Sequence, residues 1–150
     1  MKPVHVDVRI DAPAPRVWEV CSDIEHAADA IPDIERIEFL NELRQGVGMR
    51  WRETRRMSGR EVTEVLEIVE WNAPHSYVVA ARHHGHEFRA TVRVVPVNAG
   101  ARLEYDFHAT PVTILGRVAG AVLGPLSRGT LRRALHGESA AIKRRCEDAR

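Results

Sequence analysis

Apolar and polar residues alternate, or β-branched residues cluster, in seven segments of the first 110 residues. Alternation with a period of two is typical of strands that bury one face. The segments are Val4–Ile10, Ile34–Leu40, Met49–Met57, Glu61–Trp71, Tyr77–Ala81, His86–Val94 and Leu103–Ala109. Turn signals such as Ser58-Gly59 and Asn98-Ala99-Gly100 separate several of them. Because consecutive strands are joined by short turns, the pattern predicts an antiparallel sheet with one buried face that needs a cover.

Helical spacing occurs on both sides of this strand-rich region. Asp11–Pro15 interrupts the first strand and begins a short helix, and Ser22-Asp23 offers a cap for a second short helix that ends at Ala30. The segment Pro125–Arg150 predicts one long amphipathic helix, which we expect to cover the sheet. Its apolar positions are Leu131, Ala134, Leu135, Ala141, Ile142 and Cys146.

The segment Val112–Leu123 also keeps a helical period but carries only one charge, Arg117. Two interpretations are open. The segment is either a lid that contacts a ligand through Leu115, Val118 and Val122, or a fixed core helix that plugs the sheet. Its glycines make it a poor helix former by itself, so its order should depend on what lies beneath it.

Composition narrows the class of protein. A chain of 150 residues with 44% hydrophobic and 29% charged residues is typical of a soluble globular protein, and we expect one domain over residues 1–150. The net charge of +1 argues against a bulk preference for nucleic acid. Two cysteines are too few for a disulfide framework, which favours a cytoplasmic protein. No signal peptide and no uncharged run of ~18 residues are seen, so no integral membrane segment is expected.

The order and spacing of these elements carry a resemblance to a known superfamily. The residues concerned are Val4, Val6, Val8, Ile10, Ala12-Pro13 and Val17-Trp18, then Asp23, Ile31-Pro32, Gly46, Gly48 and Asn72-Ala73-Pro74, and finally the tail from Gly124-Pro125 to Glu147. The chain resembles the START-like superfamily, the helix-grip group that includes polyketide cyclases, the major birch pollen allergen and coenzyme-Q-binding proteins. No single motif in this set is highly specific, but the resemblance covers nearly the whole chain.

The resemblance implies an α+β helix-grip fold. A curved antiparallel sheet of about seven strands would wrap around the C-terminal helix, with two short helices after the first strand and an apolar cavity in between. We therefore predict a carrier that binds a small, largely hydrophobic molecule such as a lipid, polyketide or isoprenoid. The alternatives are a polyketide-cyclase-like enzyme and a protein-interaction module, because one scaffold serves many functions. No cofactor is expected, and the protein would be a monomer or a homodimer.

The candidate polar site lies in the third strand. Glu53 and Arg55 share a face with Trp51, and two charges in an apolar cavity are costly unless they pair with each other or with a ligand. They would then orient the polar group of a ligand; alternatively, the register is shifted or both side chains reach solvent at the sheet edge. Three further aromatic residues are candidate ligand contacts or core residues: Phe88, Tyr105 and Phe107. If the protein is an enzyme, Glu53, Arg55, His86 or Tyr105 would move protons.

Two other clusters allow a functional and a structural interpretation. His83, His84 and His86 flank a turn and could suggest a metal, but neighbouring strand residues point to opposite faces and no carboxylate completes the set. We expect a solvated hairpin tip without metal, with His86 near the cavity mouth. Four arginines could form a docking patch for an acidic partner or RNA: Arg50, Arg52, Arg56 and Arg60. We expect instead a solvated outer face of the sheet, on which four glutamates neutralise them across the hairpin: Glu61, Glu64, Glu67 and Glu70.

The sequence also predicts the composition of the core and excludes some chemistry. One core should contain Val6, Val8, Trp18, Phe88, Val92, Leu103, Leu135 and Ile142. No serine lies in a Gly-x-Ser-x-Gly elbow, and Gly46-Val47-Gly48 precedes a strand rather than a helix. Covalent and nucleotide chemistry are therefore not expected.

Overall fold

The computed structural model describes residues 3–57, 59–83, 86–111 and 128–148. Seven strands and three α-helices lie in these ranges. The strands are β1 (Val4–Ile10), β2 (Ile34–Phe39), β3 (Arg50–Met57), β4 (Arg60–Asn72), β5 (Ser76–His83), β6 (His86–Val97) and β7 (Gly100–Pro111). The helices are α1 (Ala14–Cys21), α2 (Ala27–Ala30) and α3 (Arg128–Asp148), and a short 3-10 turn (Ile24–His26) precedes α2.

The strands described here form one antiparallel sheet in the order β1-β7-β6-β5-β4-β3-β2. Each neighbouring pair from β2 to β7 is consecutive in sequence, whereas β1 pairs with β7 near the other end of the chain. The predicted helix-grip sheet of about seven strands is confirmed. The hairpin of β6 and β7 is longer than the alternation indicated, with pairing from His86–Pro111 to Val97–Gly100.

The two predicted short helices follow β1 as expected. Pro13 precedes α1, and its carbonyl accepts hydrogen bonds from the backbone of Arg16 and Val17. The Asp23 side chain accepts a hydrogen bond from the backbone N–H of His26, so it caps the 3-10 turn. Tyr77 of β5 donates a hydrogen bond of 2.8 Å to the carbonyl of Cys21, which ties the end of α1 to the sheet.

The main core lies between the sheet and the helices. Most of the predicted core residues belong to it: Val6, Trp18, Val92, Leu103, Leu135 and Ile142. Val8 is only half-buried but packs against this cluster. The expectation was wrong for Phe88, which forms a second cluster with Met57, Val62 and Leu131. Phe107 packs against both clusters, so the apolar interior has two parts that meet at this ring.

Helix α3 packs on β1 and α1. Because β1 is an edge strand, its outward carbonyls lack a strand partner. Arg128 and Arg132 of α3 donate hydrogen bonds to the carbonyls of Pro3 and His5, at 2.9 and 3.3 Å. The helix therefore binds the sheet through polar contacts with its edge as well as through apolar packing.

Three of the four arginines considered as a docking patch are in ion pairs on the outer face. Arg50 pairs with Glu67 across β3 and β4, as one interpretation predicted. Arg52 and Arg56 pair instead with Glu38 and Glu35 of β2, on the other side of β3. Neutralisation is therefore observed, but two of these three pairs come from the preceding strand.

Candidate ligand-binding cavity

A cavity of about 150 Å³ lies between the concave face of the sheet and α3. Strands β3 to β7 and α3 contribute to its described walls. Its apolar lining includes Trp51, Leu66, Val79, Phe88, Val92 and Leu135. An apolar cavity of about this size holds a molecule as large as benzene.

Glu53 and Arg55 also line this cavity. They lie on the same face of β3 as Trp51, and the side chains of Glu53 and Arg55 are only 10% and 17% exposed. The two charged groups therefore face inward, which decides between the alternatives that the sequence left open. The register is not shifted, because Trp51, Glu53 and Arg55 keep the alternation of β3 through its pairing with β4.

The two side chains form a close ion pair. Arg55 donates two hydrogen bonds to the same oxygen of Glu53, from Nε at 2.9 Å and from Nη2 at 2.6 Å. The other oxygen of Glu53 accepts the indole N–H of Trp51 at 3.2 Å. Burial disfavours the charged guanidinium, but Glu53 and Glu138 more than offset this and raise the pKa of Arg55. Arg55 is therefore charged in the cavity wall.

Two further glutamates reach the same cavity, Glu64 from β4 and Glu138 from α3. Glu64 pairs in register with Glu53 on the neighbouring strand and makes no hydrogen bond or ion pair with any described residue. Glu138 is 18% exposed, and its nearest cation is Nη1 of Arg55 at 3.9 Å. Burial raises the pKa of both carboxyls, and the Glu53 charge raises it further, while Arg55 opposes the shift.

The sequence interpretation missed both of these glutamates. Glu64 was assigned to the outer face, although it has the parity of Val62, Leu66 and Ile68 on β4. Glu138 lies three residues after Leu135 and seven after Leu131, which is the spacing of one helix face. The shared period is the signal that the sequence carries for both positions, but apolar patterning alone assigns charged residues to solvent.

The aromatic residues predicted as ligand contacts also lie around the cavity. Phe88, Tyr105 and Phe107 all line it, and the rings of Phe88 and Phe107 are 5.7 Å apart. Tyr105 is only 3% exposed, and burial raises the pKa of its hydroxyl well above its ordinary value. Among the residues described, the Tyr105 hydroxyl has no hydrogen-bond partner. It is therefore available to a molecule in the cavity.

The remaining predicted site residues lie elsewhere. His86 is 3% exposed and is not part of the cavity wall. Its ring stacks on that of Phe88 with the centroids 6.0 Å apart, so His86 lies buried behind a residue of the cavity wall and not at the cavity mouth. The tip of this hairpin lies outside the described residues. Leu115, Val118 and Val122, predicted as lid contacts, lie outside the described residues.

The family described as polyketide cyclase / dehydrase and lipid transport matches residues 1–147 of the chain. The chain belongs to this family. No protein of curated function matches its sequence. The predicted relationship to polyketide cyclases and START-like proteins is thereby confirmed.

Solved structures share the fold of this family member at low sequence identity. A START superfamily protein from Mycobacterium smegmatis is 16% identical with a TM-score of 0.78, and the match covers 99% of each chain. The Zhui aromatase/cyclase from Streptomyces sp. R1128 is 22% identical with a TM-score of 0.74, covering 97% of this chain and 93% of the other. A norcoclaurine synthase from Thalictrum flavum is 16% identical with a TM-score of 0.74, covering 99% and 88%.

The described part of this family member contains neither a candidate membrane-spanning helix nor a metal-binding cluster. None of its described helices is long and apolar enough to cross a membrane. Within the same ranges, no group of three or more His, Cys, Asp or Glu side chains is arranged to hold a metal ion.

The raised carboxyl pKa values predict how stability depends on pH in this family member. Between the ordinary glutamate value of 4.5 and the raised pKa, the folded state binds more protons than the unfolded state. Glu138 and Glu64 therefore destabilise the fold as pH rises through that window, by about 1.4 kcal/mol for each unit of raised pKa. We expect Glu138→Gln to be more stable than the wild type near neutral pH, with an advantage that disappears as pH falls below the window.

Urea unfolding at several pH values measures this difference. Glu67→Gln is the matched control, because Glu67 lies on the outer face of β4 and pairs with Arg50. Stability curves for Glu138→Gln and the wild type that run parallel across pH would contradict the assignment of a raised pKa to Glu138.

Proposed function

We propose that this protein, as one domain spanning residues 1–150, binds a small, largely apolar molecule in the cavity and carries or sequesters it. The observation that supports this most is a polar site built into an apolar wall. The Glu53–Arg55 pair lies next to the indole of Trp51 and shares the cavity lining with Tyr105 and Leu135. A ligand with an apolar body and one polar end matches this distribution.

The energetics favour such a ligand. Burial of apolar area contributes about 25 cal/mol per Å², so an apolar body that displaces water from these walls gains free energy. A buried ion pair seldom repays its own desolvation, and apolar replacements of similar volume are often as stable. The pair Glu53–Arg55 is therefore poorly explained by stability alone and is better explained by recognition of a polar group.

The relatives support the same interpretation. The description of the family names polyketide cyclases, dehydrases and lipid transport, which all act on molecules with large apolar parts. The norcoclaurine synthase structure is a complex with dopamine and hydroxybenzaldehyde, two small aromatic molecules. We extend from these names only the size and apolar character of a ligand.

Filling the cavity tests the proposal. Ala90 of β6 lines the cavity, whereas Ala80 of β5 lines a groove on the outer face. We expect Ala90→Phe to abolish ligand binding while the protein stays folded, and Ala80→Phe to bind like the wild type. Native mass spectrometry of gently purified protein, followed by titration with the compound that it retains, measures both.

Thermal melts verify that both variants are folded. If Ala90→Phe is folded and binds the retained compound with unchanged affinity, the cavity is not the binding site. If the gently purified wild type retains no compound and binds no apolar probe, the proposal of a carrier fails.

A second candidate function, proton-transfer catalysis of the cyclase or dehydrase type, is favoured by one observation. Three groups whose pKa is raised line the same cavity, namely Glu64, Glu138 and Tyr105. A carboxyl of raised pKa is suited to act as a general acid. The compound that the protein retains in the experiment above distinguishes the two candidates. A carrier releases this compound unchanged, whereas an enzyme forms it from a precursor.

A further inference from the structure

Negatively charged side chains outnumber positively charged ones around the described part of the cavity. Three carboxylates and one guanidinium line it within the described residues: Glu53, Glu64, Glu138 and Arg55. Among the residues described, the carboxylates therefore outnumber the cation by three to one.

The single described cation is already engaged by one carboxylate. Arg55 directs its Nε and Nη2 to Glu53, at 2.9 and 2.6 Å, and leaves only Nη1 for Glu138 at 3.9 Å. That distance exceeds the 2.7–2.9 Å of a charge-assisted hydrogen bond. A ligand carboxylate at this place would have to compete with Glu53 for Arg55 and would meet Glu64 and Glu138 as well.

Acceptors at this end of the cavity are left without donors. Glu64 has no hydrogen bond or ion pair with the described residues, and its neighbour across β3 and β4 is another carboxylate, Glu53. Tyr105, which is 3% exposed and lines the same cavity, has no described partner for its hydroxyl. The described residues hold no enclosed side-chain nitrogen or oxygen without a hydrogen bond, so these oxygens are open to the cavity. A donor on a ligand can therefore bond to them.

We propose that the cavity selects a protonated amine on an apolar body, whose ammonium group would lie against Glu138 and the Tyr105 hydroxyl, while Glu64 adds negative charge to the same cavity. This proposal rests on the proposed function and adds the charge of the ligand to it. An ammonium group has three donors and no acceptor, which suits carboxylate and hydroxyl oxygens. A ligand of the same shape with a carboxylate has no donor to offer, and the glutamates of the cavity repel its negative charge.

The charged groups facing the ammonium position come from three parts of the fold. They are Glu53 and Arg55 on β3, Glu64 on β4, and Glu138 on α3, with Asp33 before β2 acting on Glu138. Arg55 is the only cation among them. Protonation of Glu64 and Glu138 at low pH therefore weakens the attraction for an ammonium group, and amine binding should weaken as pH falls.

Three probes of one carbon skeleton test the selection by calorimetric titration. We use 4-phenylbutylamine, 4-phenylbutan-1-ol and 4-phenylbutanoate, which share a phenyl ring and differ in the charge of the head group. We expect the amine to bind about tenfold or more tighter than the carboxylate, with the alcohol in between. Lowering the pH should reduce this ratio.

The double variant Glu64→Gln/Glu138→Gln should lose most of the preference for the amine over the alcohol while still binding the alcohol. Glu67→Gln, on the outer face of the same strand, should keep the wild-type order. Thermal melts establish whether each variant is folded. If the double variant is unfolded, the single variants Glu64→Gln and Glu138→Gln are used in its place.

The outcomes separate the two proposals. Binding of the probes with equal affinities, or with the carboxylate tightest, overturns the selection for an amine and leaves the binding function intact. An amine preference that survives in the glutamine variants also overturns it, because the selecting charge would lie elsewhere. If no probe binds the wild type, the proposed function fails and the inference fails with it.

Discussion

Glu53→Ala is expected to lower the free energy of unfolding by about 3–5 kcal/mol, because it leaves the charge of Arg55 buried without its partner. The same change removes the acceptor of the Trp51 indole N–H. The double variant Glu53→Leu/Arg55→Met, which removes both charges, should recover most of this loss. Urea unfolding of the two variants beside the wild type measures the effect.

An exposed ion pair of the same sheet provides the control. Arg56 and Glu35 are 2.9 Å apart, close to the distances between Arg55 and Glu53, but their side chains are 54% and 34% exposed. Glu35→Ala should therefore cost only about 0–1 kcal/mol. If Glu53→Ala costs as little as Glu35→Ala, the Glu53–Arg55 pair is effectively solvated and the polar site is not a buried one.

Leu135→Ala is expected to cost about 2–5 kcal/mol, the range for truncation of a large core side chain. Leu135 is 8% exposed, belongs to the main core and lines the cavity from α3. Its truncation removes one of the apolar contacts between the helix and the sheet and enlarges the cavity beneath it. Chemical unfolding of the variant measures the loss.

Leu43→Ala is the matched control for this substitution. Leu43 lies in the loop between β2 and β3 and is 45% exposed, so the same truncation there should change stability by about 0.5 kcal/mol or less. Equal costs at the two positions would mean that α3 is not gripped by the sheet.

The architecture could be predicted because the alternation is local and repeated. In β1, Val4, Val6 and Ile10 are buried, and His5 and Asp7 are exposed, as a period of two requires. Short turns then leave few ways to order consecutive strands. The position of Glu53 and Arg55 relative to Trp51 followed from the same parity, but which face pointed inward depended on the pairing of β3 with its neighbours.

The carboxylates of the cavity could not be predicted in the same way. Apolar patterning assigns charged residues to solvent, so Glu64 was placed with the glutamates of the outer face. Its true position depends on the register of β4 against β3, which places it beside Glu53. The place of Glu138 depends on the rotation of α3 about its axis, which is fixed by the packing of Leu131 and Leu135 rather than by local sequence.

The division of the core into two clusters was also beyond the sequence. Phe88 has the alternation of a core residue, and it is buried, but it packs with Met57, Val62 and Leu131 instead of the main cluster. Which buried side chains touch each other depends on the curvature of the whole sheet. Period and hydrophobicity determine burial at one position and contain no information about distant partners.

The pairing of β1 with β7 determines the order in which the chain is expected to fold. His5 and Asp106 are in contact across these strands although they are 101 positions apart, and Arg128 reaches Pro3 from 125 positions away. Closing such long loops costs more entropy than forming the hairpins from β2 to β7, so we expect the hairpins to form first. The cavity wall that α3 supplies is then completed in the final step, when this helix docks on β1.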